Sequence, residues 1–174
     1  LMPRTGWGWL ESFVPDECLQ KVQAWGDEES LFQYEDYLKT VGAVVMGRKT
    51  YDFLVQFGSN PYAHLDTWVF SRTLEPDQKL LPGVRLVPRD RDLAEFLREL
   101  KNRPERRVWL IGGGDIAAQA LDAGVIDEVI LSIVPKTLGA GVPLFQPLNS
   151  KVQEWRIQQA SVTRNGFVQL CYRR

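Results

Sequence analysis

Apolar positions along this chain change period several times, and each change marks an element. Leu31, Tyr34, Leu38 and Val41 fall at i, i+3, i+7 and i+10, the stripe of a helix. Ala43 to Met46 is a short continuous apolar run of strand type. It leads through Gly47-Arg48-Lys49-Thr50 into a helical stretch ending near Gln56. Thr67 to Phe70 and Val84 to Val87 read as further buried strands. Asp92 is placed to cap a helix that carries Leu93, Phe96, Leu97 and Leu100 on one face. Arg107 to Ile111 is a strand running into Gly112-Gly113-Gly114. Asp115 then opens a helix closed by Gly124. Glu128 to Val134 is a strand. After a Gly- and Pro-rich loop, Trp155 to Thr163 and Phe167 to Tyr172 form two more, joined by Asn165-Gly166 as a two-residue hairpin.

Strands alternating with helices predict an α/β fold with a mostly parallel sheet covered on both faces. The last hairpin adds antiparallel strands at one edge. In such sheets ligands lie beyond the carboxyl ends of the strands. The turns at Gly47 and Gly112 both fall at that end, so one extended nucleotide can lie across them.

Each turn has its own chemistry. Gly112 to Ala117 fits the loose pattern G-x-G-x-x-A, in which a glycine backbone and a helix N-terminus approach a phosphate. The plain alternative is a tight strand–helix turn. A true Rossmann unit wants an acidic residue ending the next strand, about 20 residues on. Asp127 and Glu128 come too soon and precede that strand, which disfavours it. In the other turn Gly47 opens the way, Arg48 offers a charged fork, and Thr50 can cap the helix and reach a phosphate. Lys49 reads more simply as solvated. Ser71 and Arg72, at the end of a later strand, are candidates for a ribose phosphate, which would favour NADPH over NADH.

Composition narrows the classes. The 174 residues are 44% hydrophobic and 25% charged, ordinary for one globular domain. A formal net charge of -1 speaks against a general nucleic-acid binder. There is no apolar run of about 18 residues to span a membrane, and no signal-peptide pattern, so a cytoplasmic location is the default expectation. Cys18 and Cys171 suggest neither a disulfide framework nor a metal site, and no metal is expected. No internal repeat is visible.

Val44 through Tyr51, Val69-Phe70-Ser71-Arg72 and Ile111-Gly112-Gly113-Gly114 together resemble the cofactor-binding signatures of dihydrofolate reductases. Asp127 to Leu131, Pro135 to Phe145 with Gly139 and Gly141, and Asn165 to Leu170 are similar to the branch that includes the C-terminal reductase domain of the bacterial riboflavin-biosynthesis deaminase/reductase. The resemblance runs from about residue 7 to the end. It implies a single dihydrofolate-reductase-like domain over residues 1–174, of three layers, and a homodimer. It also implies hydride transfer from NADPH to a pyrimidine or pterin-like molecule, as in 5-amino-6-(5-phosphoribosylamino)uracil reduction. By the same resemblance Gly47, Arg48 and Thr50 hold phosphates, with Lys49 beside them as a further cofactor-binding candidate, and Ser71 and Arg72 face the 2′-phosphate. Gly112 and Gly113 form a cis peptide, and Gly114, Asp115 and Ile116 begin the helix facing the pyrophosphate.

Two departures from that pattern matter. Members normally begin with a central strand and a turn that lines the nicotinamide. Here the chain starts near Gly6-Trp7-Gly8-Trp9-Leu10, which looks like the segment just after it, so an incomplete N-terminus is expected. The pterin-binding carboxylate of dihydrofolate reductases maps to Leu31, with Glu35 and Asp36 one turn on, which argues against a dihydrofolate reductase proper. The catalytic group is therefore unknown. Glu35 and Ser132 are candidates, each with a plain reading as a solvated helix residue or a strand serine bonded to backbone. Trp7 and Trp9 can close over nicotinamide or pack in a core. Tyr51 can stack near cofactor or anchor its helix, and His64 has no obvious partner. An NADPH binder without turnover, and a structural module using only the fold, remain alternatives.

Overall fold

A computed structural model of the chain describes residues 34–103, 107–145, 152–163 and 166–174. The elements in order are α1 (Tyr34–Thr40), β1 (Val41–Gly47), α2 (Arg48–Phe57), β2 (Asp66–Phe70), β3 (Val84–Leu86), α3 (Leu93–Lys101), β4 (Arg107–Gly112), α4 (Gly114–Asp122), β5 (Glu128–Ile133), β6 (Arg156–Val162) and β7 (Val168–Arg173). The described residues fall into two compact units, those within 40–125 and 142–145, and those within 34–39, 126–141 and 152–174.

The first unit is built on a parallel four-stranded sheet of order β3-β2-β1-β4. Val41, Val44, Val45 and Met46 of β1 are fully buried, as is Val69 of β2. A strand with apolar residues on both faces is what a parallel sheet requires. Val41 belongs to this strand rather than to the preceding helix, which ends at Thr40. Its β-branched side chain, heading a run that includes Gly42, favours the extended state over one more helical turn.

Helix α3 buries the stripe Leu93, Phe96, Leu97 and Leu100, each side chain contributing on the order of 1.5–3 kcal/mol. Its Phe96 meets Trp68 of β2 edge-on at 5.2 Å between centroids. Asp92 caps it as expected, its carboxylate accepting from the Glu95 N–H. Helix α2 buries Tyr51 and Leu54, and the Tyr51 hydroxyl accepts from Leu81 N. Tyr51 thus anchors its helix. Helix α4 buries Ile116, Ala118, Ala120 and Leu121. It starts at Gly114, one residue earlier than expected, and Gly124 with φ 67° turns the chain after it.

The second unit carries a separate antiparallel sheet of order β5-β7-β6. This corrects the expectation of one sheet with a hairpin on its edge: Glu128–Ile133 pairs with β7, not with the parallel strands. A short apolar run looks alike in either setting, and only its distant partner decides. The connection between β6 and β7 also differs. Thr163 and Phe167 pair through Thr163 N to Phe167 O, leaving three positions between them, and Gly166 adopts φ 79°. A glycine of that conformation suits a longer loop with a bulge. Asn165 lies outside the described residues.

Candidate functional site

Parallel pairing fixes which chain ends meet. Gly47 stands opposite Phe70, and Met46 opposite Gly112, so the carboxyl ends of β2, β1 and β4 lie side by side. The Gly47 and Gly112 turns are in contact. A Cβ on Gly47 would sit 3.3 Å from Ile116 Cγ2 and 3.6 Å from Gly112 O and Gly113 N. Gly112 has φ 117°, a conformation essentially reserved to glycine, and the Gly112–Gly113 peptide is cis.

Helices leave both of these turns without a side-chain cap. The N-cap of α2 is Gly47 (φ −82°, ψ 170°), and that of α4 is Gly113 (φ −72°, ψ −171°); neither end has a side-chain cap bond. Thr50 therefore does not cap: it is the third residue of α2. The strand's pairing runs through Gly47 and leaves the helix to start at once. First-turn N–H groups have no helical acceptor, so both ends present donors and partial positive charge.

The two ends are not equal. Helix α4 has Asp115 in its first turn, exposed and accepting from Gln119. Gly114 there meets Pro143 and Leu144 closely: a Cβ would lie 2.8 and 3.0 Å from their carbonyl oxygens. Helix α2 has no acidic residue in its first turn and begins with Arg48 and Lys49. Helices α1 and α3 follow the opposite, stabilising arrangement, acidic first and basic last. Basic residues on a positive helix end cost stability locally, the kind of conflict that marks a functional position. Lys49→Glu is accordingly expected to raise the melting temperature of the ligand-free protein by about 1–3 °C, read by thermal denaturation.

Arg48 is drawn across to the end of β2. Its Nε donates to Asp52 Oδ1 at 2.6 Å and its Nη1 to Thr73 Oγ1 at 3.0 Å. Arg48 and Asp52 are 38% and 44% exposed, so their pair is worth only about 0.3–0.5 kcal/mol. Ser71 follows directly on the last residue of β2. It is buried, and its hydroxyl accepts from Thr73 N at 3.2 Å and Leu74 N at 3.1 Å. It shapes the turn after β2, where Arg72 and Thr73 are exposed. Thr73 escaped the sequence reading, since nothing local ties it to Arg48. Arg89 holds the same turn by donating twice to Leu74 O.

The structure therefore brings Gly47, Arg48, Lys49, Thr50, Ser71, Arg72, Gly112, Gly113, Gly114, Asp115 and Ile116 to one sheet edge of the first unit. Glu35, exposed on α1, and Ser132, on β5 opposite Gln169, belong to the second unit. His64 is exposed in the turn before β2. Trp7 and Trp9 lie outside the described residues. Among the described residues no group of three His, Cys, Asp or Glu could hold a metal ion, and no helix is long and apolar enough to cross a membrane.

The chain is similar to known proteins in sequence and in fold. Residues 20–169 match the RibD C-terminal domain. YwjB of Bacillus subtilis is 30% identical over 121 residues, 69% of this chain and 67% of that protein. Over 80 residues the chain is 34% identical to the riboflavin biosynthesis protein RibD of Escherichia coli, spanning 43% of this chain but only 22% of RibD. A crystal structure from Shewanella sp. PV-4, provisionally assigned to riboflavin biosynthesis, superposes with a TM-score of 0.73 at 27% identity, covering 96% of this chain and 86% of that one. The deaminase/5-amino-6-(5-phosphoribosylamino)uracil reductase of Thermotoga maritima shares the fold, with a TM-score of 0.58 at 16% identity over 85% of this chain and 49% of its own. With a family match over most of its length and two glycine turns meeting at one sheet edge, the chain belongs to the RibD C-terminal domain family, on a dihydrofolate-reductase-like fold.

Proposed function

We propose that the protein is an NADPH-dependent reductase acting on a pyrimidine or pterin-like heterocycle. The observation that carries this reading is the basic end of α2, without a side-chain cap, beside the Gly112 turn. That end is suited to a polyanion, and the neighbouring turn supplies close backbone approach. The residues fit the cofactor part by part. First-turn N–H groups of α2 and α4 face a diphosphate, and Arg48, Arg72 and Thr73 face a phosphate on the adenosine ribose. Bound NADPH supplies a hydride from nicotinamide C4 to an electron-poor C=N or C=O carbon. The chain's part is to hold the two reacting carbons in line. The family match runs through both units, which supports reading them as one domain.

The test compares thermal shifts with NADPH and NADH, then screens NADPH oxidation over aminouracil, pterin and small carbonyl substrates. At 100 times its dissociation constant a ligand adds about 2.7 kcal/mol. In a domain of this size that is about 5–10 °C. NADPH is expected to give that shift and NADH much less at equal concentration. No shift with either would sink the reading. One competing outcome is binding without turnover, in which NADPH stabilises and no screened substrate is reduced.

A further inference from the structure

We infer that Asp52 is a positioning residue that sets this site's preference for a dinucleotide phosphorylated on its adenosine ribose, acting through Arg48. The inference rests on the nucleotide reading above. Arginine is long and loses much rotamer freedom when it grips an anion. Here that freedom is already curtailed. Asp52 Oδ1 holds Nε at 2.6 Å from one turn along α2, and Thr73 Oγ1 receives Nη1 at 3.0 Å from the turn after β2. The chain of contacts continues to Ser71 Oγ, 3.4 Å from Thr73 Oγ1. Nε faces the carboxylate, and the Nη edge faces the turn where Arg72 is exposed.

Asp52 also brings a negative charge near the proposed phosphate, so two effects oppose each other. Repulsion acts through solvent, because both side chains are roughly two-fifths exposed, and salt weakens it. Orientation acts through a direct hydrogen bond and is not screened in that way. Positioning is therefore the larger effect. The helix gains little from the pair, since a base followed by an acid is the weaker order for i,i+4 partners. Stability alone does not account for an aspartate here.

Equilibrium titration of NADPH and NADH into the unaltered chain, Asp52→Ala, Asp52→Asn, Arg48→Ala and the double variant Arg48→Ala/Asp52→Ala tests this. Asp52→Ala is expected to weaken NADPH about twofold, the fold-change matching the worth of the pair, and to leave NADH unchanged. Asp52→Asn keeps an acceptor and recovers part of the loss. In the Arg48→Ala background Asp52→Ala makes no further difference, because the two act as a unit. Unchanged or tighter NADPH binding by Asp52→Ala overturns the inference. So does equal weakening of both dinucleotides, or an Asp52 effect that persists without Arg48. If the unaltered chain binds neither dinucleotide, the nucleotide reading falls as well. If it binds NADPH and the variants do too, only the role of Asp52 is lost.

Discussion

Arg48→Ala is expected to weaken NADPH binding about 10–100-fold while changing NADH binding less than about threefold. The size follows from the chemistry removed. A charge-assisted contact is worth on the order of 1.5–3 kcal/mol, and each 1.4 kcal/mol is about tenfold in affinity. The selectivity follows from position. Arg48 leans toward Thr73, beyond the end of β2, and not toward the Gly112 turn, so under the proposed function its contact would be with the phosphate that NADH lacks. Loss of fold is a poor rival account. The variant forfeits a half-exposed ion pair worth a few tenths of a kcal/mol, and it removes a positive charge from a positive helix end. The melting temperature of the free protein should therefore move by no more than about 1–2 °C. Titration calorimetry with both dinucleotides, beside thermal denaturation, reads all of this. Equal losses for NADPH and NADH would place Arg48 on the shared diphosphate and undo the assignment of the β2 end to the ribose phosphate.

How far these roles were legible in the sequence depended on how local their causes are. The glycine turns were legible because a strand, a glycine and a helix succeed one another within a few residues. Asp92 was legible for the same reason, its carboxylate reaching only to Glu95 N. Thr50 was misread as a cap because the start of α2 depends on pairing across the sheet: Gly47 is held opposite Phe70, and the helix begins directly after it. Ser71 shows the reach of local chemistry in another way. A serine hydroxyl can turn back on its own chain, and here its oxygen accepts from the N–H groups of Thr73 and Leu74 while its proton is left to donate. The link from Arg48 to Thr73 spans 25 residues and no motif encodes it. β5 is of the same kind, its sheet decided by partners Val168–Arg173 some forty residues away. Local chemistry thus marked the glycine turns, and tertiary pairing decided how the side chains beside them are held.

Gly114→Ala is expected to lower the melting temperature by about 4–8 °C, the larger of two contrasting glycine substitutions at this edge. The added Cβ would meet the carbonyl oxygens of Pro143 at 2.8 Å and Leu144 at 3.0 Å. Both are backbone atoms and cannot swing away as a side-chain end can. The start of α4 or the 142–145 segment must move, at a cost typical of overpacking, about 1–3 kcal/mol. Alanine returns less than about 1 kcal/mol of helix propensity, so the net sign stays destabilising. At about 2–4 °C per kcal/mol for a chain of this length the fall is measurable by calorimetry or circular dichroism. Gly47→Ala makes the contrast. Its φ of −82° suits any residue, and its nearest contact is a side-chain methyl, Ile116 Cγ2 at 3.3 Å, which must give by only a few tenths of an ångström. A loss within about 1 kcal/mol is expected there, with a larger effect on nucleotide affinity, because the methyl group enters the junction of the two turns. If Gly114→Ala melted like the unaltered protein, the close packing of residues 143 and 144 on the α4 N-terminus would not exist in solution. That end would then be as open as the end of α2, and only their first-turn charges would set the two apart.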